Sequence, residues 1–358
     1  MEHPATDVPA EPRRPAVSAR AGVVRPVDME DLIVVRDLVQ RLVALDVRFG
    51  GGHISEIALR ALRNARRVLR ARSYRKGVQR EFEAAVAELA ELTGWLLCDA
   101  NRHGLADRVN RYALSLAHKS GDRSMALFVT HNMALQATYL RWPERTLRLV
   151  EPVLDRGVLT PRLEAMFRLR DARAMAQLGA RRQAMRAFDR ALSSLYDGPS
   201  DRDPAWAWWI SERGFRHASG AMHCSLGEWS LAIDLIHQAV EAVPPADRRS
   251  RFLYLCVLLQ ALAEAGAWRE AEEAVRELVP LLGAVNSVRP LATLRSTLER
   301  VHLSGVPSGS AQDLIEHALI SVVEAYDHAG LEAPVPVAVL DDPPDLANLF
   351  AERDQHLA

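Results

Sequence analysis

The chain has 358 residues, of which 49% are apolar and 25% charged, the balance of a soluble folded protein long enough for two domains or one extended architecture. Its 45 basic residues face 46 acidic ones, a net charge of −1 that argues against a whole-protein polyanion binder and against direct DNA binding. No apolar run approaches the length of a membrane span, and Gly and Pro, 19 each, are too few for a fibrous or low-complexity chain. Met1-Glu2-His3-Pro4 lacks the positive-then-apolar layout of a signal peptide. Cys98, Cys224 and Cys256 are far apart and form no CxxC pair. Both features lead to the expectation of a reduced cytoplasm, with thiols used for packing. Only Lys76 and Lys119 are lysine. A GC-rich genome produces that arginine skew through its codons, so an arginine cluster here carries reduced weight.

Residues 1–27 are rich in Pro, Ala, Arg and Val without helical or strand period, which predicts a disordered arm. Residues 28–100 read as N-terminal helices. Asp28 is a fitting N-cap, and Leu32, Val35, Leu38, Leu42 and Leu45 recur at helical steps. Gly50-Gly51-Gly52 then stops the helix and reads as a flexible turn; no GxxxxGK[ST] follows, so it is not a phosphate loop. A second helix carries Ala58, Leu62, Ala65 and Leu69 on one face and Arg60, Arg63, Arg67 and Arg70 on the other. From Arg60 to Arg80 there are nine basic residues and no acidic one, a stripe read foremost as a solvated face. It would also suit an external polyanion or the chain's own acidic tail. A third helix, about 79–98, presents Phe82, Val86, Leu89, Leu92 and Leu96. No convincing strand pattern appears anywhere, so the expected fold class is all-α.

Residues 101–304 repeat. Five helices start with a turn followed by a small residue: Ala106, Thr146, Ala184, Ala232 and Ala271, separated by 40, 38, 48 and 39 positions. The longest step contains turn chemistry between Tyr196 and Pro204. Each is preceded by another helix, near 83–100, 123–140, 161–178, 205–225 and 248–265, so the unit is a helical hairpin. Small residues at one level let antiparallel helices approach, and stacking buries what a lone hairpin leaves exposed. The prediction is an α-solenoid with a concave groove. Residues 305–330 form an expected capping helix with Leu314, Ile315, Leu319, Val322, Val323 and Tyr326 on its stripe, or a homodimer contact; residues 331–358 form an acidic, Pro-containing tail.

These hairpins resemble tetratricopeptide repeats, with a longer period. More closely, Asp46 to His53, Glu88 to Trp95, His103 to Ala106, His131 to Ala137 and Arg249 to Leu255 resemble the sensor region of actinobacterial Xre-type regulators, over about Val24 to Leu303. The stretch before Asp28 is too short for the helix-turn-helix domain that usually precedes it. The resemblance therefore implies ligand sensing without DNA recognition.

Candidate ligand-binding residues follow from chemistry. Trp206, Trp208 and Trp209 sit where a repeat helix is expected to begin, with Trp209, Arg213 and Arg216 on one stripe beside Glu212. Aromatic area next to charge suits a peptide or an amphiphilic molecule. Asn132, Gln136 and Tyr139 share a stripe on an expected inner helix, and an amide both donates and accepts, as a peptide backbone requires. Histidines never fall in HxxxH or HExxH spacing; no metal or cofactor is expected. The functional expectation is a regulatory or adaptor protein that binds a peptide, small signalling molecule or protein partner, in development or specialised metabolism. The alternative is a biosynthetic enzyme on a repurposed sensor scaffold, drawing on Trp209, Glu212, His131 or Arg213.

Overall fold

A computed structural model describes residues 26–70, 73–156, 158–304 and 309–330. The expected arm, apart from its last two residues, and the acidic tail lie outside the described residues. Among those described, the chain forms fourteen α-helices, and the only β-type pairing is an isolated bridge between Val27 and Tyr74. Val27 is buried, its amide donates to Ser73 at 2.9 Å and its carbonyl accepts from Arg75, so the last residue of the expected disordered arm is structured.

Three helices open the chain: α1 (Met29–Phe49), α2 (Ile54–Arg70) and α3 (Val78–Asp99). Asp28 starts α1 with a reciprocal capping box, accepting from the Glu30 amide while its own amide donates to Asp31. Next come α4 (His103–Ser120), α5 (Arg123–Tyr139), α6 (Pro143–Asp155), α7 (Pro161–Gln177) and α8 (Arg181–Tyr196). The remainder are α9 (Glu212–Ser225), α10 (Trp229–Glu241), α11 (Arg248–Ala265), α12 (Trp268–Leu278), α13 (Val288–Ser304) and α14 (Gly309–Gly330). Side-chain caps fix several starts: Asp122, Thr160, Ser211 and Asp247 each accept from an amide three residues on.

From α3 onward each odd-numbered helix pairs with the even-numbered helix that follows it, and consecutive odd-numbered helices also touch. The expected small residues sit inside these pairs: Ala106, Thr146, Ala184 and Ala232 are wholly buried, and Ala271 nearly so. Glycine permits the closest approaches. A Cβ on Gly94 would strike the Asn110 side chain of α4, and one on Gly220 would strike Ile236 of α10. On the odd-numbered helices Phe82, Phe167, Phe215 and Phe252 fill the core, each worth about 2–3 kcal/mol of burial.

The structure amends one expectation. The helix expected over 205–225 begins only at Glu212, because Ala205–Trp209 is a 3-10 turn after Pro204 and Ser211 caps α9. Trp209 is thus off the helix that carries Arg213 and Arg216, and the three share no helical face. In the expected capping segment 305–330, α14 packs on both α12 and α13. That contact buries Ile315, Ala318 and Val322, while Val323 of the expected stripe is 41% exposed. No described helix is long and apolar enough to cross a membrane.

Candidate functional site

The path of helices bends until its two ends meet, with α1 touching α11 and α3 touching α13. The glycine segment makes this junction possible. The Gly52 amide donates to the Asn286 carbonyl at 2.8 Å, and the Asn286 amide donates back to the Phe49 carbonyl at 2.8 Å. A Cβ on Gly52 would come within 2.6 Å of the Asn286 oxygen, and one on Gly51 within 2.9 Å of the Asp99 Cβ. All three glycines are buried. The expected flexible turn is therefore a packed seat for the far end of the chain; a side chain of any size would hold the ends apart.

Beside it lies a charged clasp. Asp99 is wholly buried and accepts from Ser287 Oγ at 2.6 Å and from the Gly51 amide at 2.9 Å. Arg249 lies 3.3 Å from both Asp46 and Asp99, and Arg289 lies 3.6 Å from Asp99. Trp95 Nε1 donates to Asp46 at 2.9 Å, and both arginines lie over its ring. Burial pushes the Asp99 carboxyl upward, but Arg249, Arg289 and the two hydrogen bonds outweigh it and hold the group below the ordinary carboxylate range. Asp46 goes the other way, raised by burial and by the charge of Asp99 against the pull of Arg249.

Inside the closed path is a cavity of about 2910 Å³, lined chiefly by α1, α3, α5, α7, α9, α11 and α13. Ordinary small-molecule pockets hold about 300–1,000 Å³. On one wall Trp206 stacks on Phe128 with ring centres 4.3 Å apart, and its Nε1 donates to Ser124 at 3.0 Å. Trp209 lies 5.4 Å from the His131 ring, and His217 stacks on Tyr254 at 4.1 Å. Glu91 accepts from Asn132 Nδ2 at 2.5 Å. Burial first, then the nearby Glu88 charge, push the Glu91 carboxyl up to about 8, so it is mostly protonated at neutral pH. Burial and Arg170 keep His131 neutral, while burial with Arg173, Arg289 and Arg170 lowers His217 to about 3.

The predicted residues divide. Asn132, Tyr139, Trp206, Trp209, Glu212 and Arg213 line the cavity, whereas Gln136 and Arg216 do not. Gln136 is buried, donating to the His103 carbonyl at 2.9 Å. Tyr139 donates to the Arg289 carbonyl at 3.1 Å and so belongs to the junction as well. Arg213 is paired with Asp247 at 3.2 Å, and Arg216 reaches only Glu212, at 3.7 Å on the exposed flank of α9. Trp209, Glu212, His131 and Arg213 all line the cavity, with His131 beside Trp209 and Arg213 engaged with Asp247. The basic stripe Arg60, Arg63, Arg67 and Arg70 is exposed, away from the cavity. Among the described residues no group of His, Cys, Asp or Glu is arranged to hold a metal ion.

Sequence reasoning missed the residues that matter most here: Asp46, Glu91, Asp99, Arg170, Arg173, Arg249 and Arg289. A signal for some was present, since a charge inside an apolar stripe, such as Glu91 between Leu89 and Leu92, must find a partner or a cavity. The segments around Asp46, Trp95, Asn132 and Arg249 that carry the family resemblance meet at this cavity and clasp. No protein-family model matches the chain, and no curated protein matches it.

Proposed function

We propose that this chain is a tetratricopeptide-like α-solenoid that encloses a ligand, a peptide or small signalling molecule, and acts in the cytoplasm as a regulatory or adaptor protein. The paired helices, the contacts between alternate helices and the small residues inside each pair support the repeat reading. The observation that carries the functional reading is the cavity of about 2910 Å³, walled by helices from both ends of the chain. A bound molecule touching both ends favours the closed path, so occupancy is coupled to the Asp99 clasp and to any surface that moves when it opens. The resemblance to sensor regions of Xre-type regulators agrees with this role.

Catalysis is the second reading, favoured by Glu91. A carboxyl kept protonated at neutral pH within a cavity suits acid catalysis.

One experiment separates the readings. Peptide and metabolite fractions are passed over the immobilised full chain, and retained compounds are identified by mass spectrometry. Trp209→Ala, at a half-buried ring lining the cavity, should weaken retention by stripping the aromatic wall. Retention unchanged by this substitution counts against binding in the cavity and refutes the sensor reading. A compound released in altered form by the native chain, and unaltered by Glu91→Gln, favours the enzyme.

A further inference from the structure

Among the arginines that line the cavity, Arg48, Arg141 and Arg248 are exposed to solvent, and most of the others face a carboxylate. Arg249 faces Asp46 and Asp99, Arg213 faces Asp247 at 3.2 Å, and Arg300 faces Glu264 at 3.1 Å. Arg170 and Arg173 on α7 are the exception. They stand three residues apart, so they share a face, and both line the cavity. Among the described residues neither has a carboxylate within ion-pair distance or a hydrogen-bond acceptor. Arg170 is only 9% exposed, and the Nε atoms of both are buried without a partner.

Neighbouring groups do not supply the missing negative charge. Burial pushes the Cys224 thiol near Arg173 up to about 11, which keeps it protonated. His131 and His217 are neutral and add no negative charge; His131 donates its Nδ1 proton to Asn132 Oδ1 at 3.3 Å, and the buried His217 Nε2 has no partner among the described residues. Arg170 is lowered to about 9 by burial and by the charges of Arg173 and Arg289, still above neutrality, so it remains a cation. Two unneutralised guanidiniums in a low-dielectric wall are costly until an anion joins them.

We propose that Arg170 and Arg173, with Arg289 and His217 near them, receive the phosphate of a small phosphate monoester whose flat apolar body lies against Trp209 and the His217–Tyr254 stack. The two planar forks match phosphate oxygens in pairs. Their charge matches a monoester, about −1.5 to −2 at neutral pH, better than a single carboxylate. Free phosphate satisfies the arginines but leaves the aromatic wall uncovered. This assignment rests on the cavity being the ligand site and adds the ligand's class.

Titration calorimetry of the full chain with phenyl phosphate, inorganic phosphate, benzoate and phenol tests it. Phenyl phosphate should bind at least about tenfold tighter than benzoate or inorganic phosphate, a gap of about 1.4 kcal/mol. Arg170→Gln with Arg173→Gln should weaken it by about thirtyfold or more and raise the melting temperature of the ligand-free chain. If that double variant does not fold, Arg173→Gln alone, at the less buried position, should still weaken binding about fivefold, and Arg60→Gln on the exposed stripe should leave it unchanged. Equal affinity for phenyl phosphate and benzoate overturns the proposal, as does phosphate binding that survives the substitutions. Phenol binding that Trp209→Ala weakens, without any gain from the phosphate, removes this inference and leaves the cavity reading standing. If Trp209→Ala weakens none of the probes, the cavity reading falls with it.

Discussion

Replacing Asp99 by Asn should open the junction between the two ends of the chain. The carboxylate is wholly buried, lies 3.3 Å from Arg249 and 3.6 Å from Arg289, and accepts two hydrogen bonds, from Ser287 and Gly51. Asn keeps one acceptor oxygen, removes the charge and turns a donor toward two guanidiniums. Removing one partner of a buried ion pair costs about 3–5 kcal/mol, and because Asp46 still holds Arg249 the lower end applies, about 3 kcal/mol. Hydrogen exchange reads this locally: the Gly52 and Asn286 amides, bonded across the junction, and the Gly51 amide, bonded to Asp99 itself, should lose about a hundredfold of protection, the equivalent of about 3 kcal/mol. Amides in the middle of α7 should change far less. The pH dependence has a definite sign. Asp99 is held below its ordinary range, so its contribution is complete above the unfolded carboxylate value and is lost as pH falls through the depressed folded value. Wild type and Asp99→Asn should therefore converge in acid. A variant with wild-type protection at those three amides would falsify the clasp as the element that closes the path.

Three further outcomes follow from the same structure. Glu91→Gln should preserve the hydrogen bond with Asn132 and remove a pH dependence: because the folded carboxyl is raised to about 8, wild type loses stability at up to about 1.4 kcal/mol per pH unit between its unfolded value and pH 8, so the variant should gain on it between urea melts at pH 5 and pH 8. Gly94→Ala should cost about 1–3 kcal/mol through collision with Asn110, and adding Asn110→Ala should recover most of that in a double-mutant cycle; strict additivity would refute the close α3–α4 approach. Gly52→Val should reproduce the exchange pattern of Asp99→Asn, since its Cβ would lie 2.6 Å from the Asn286 carbonyl oxygen; unchanged protection at the Asn286 amide would count against a closed junction.

Much of the molecule was legible in the chain itself. Helical steps, the Asp28 cap and the glycine stop located α1, and the recurring small residues from Ala106 to Ala271 located the close contacts within pairs, because both signals act over one to ten residues. Composition and spacing also brought forward Asn132, Trp206 and Trp209, which do line the cavity, but could not separate them from Gln136 and Arg216, which do not. The closure was not readable. Ser287 meets Asp99 across 188 positions, and Arg249 meets Asp46 across 203. Whether such groups meet depends on the small rotation between successive helix pairs summed along the whole path, which no local pattern encodes. For the same reason Arg170 and Arg173 look in sequence like two of many arginines. Only the tertiary structure buries them in a shared cavity with no opposing carboxylate, and so makes their charge a demand for a ligand.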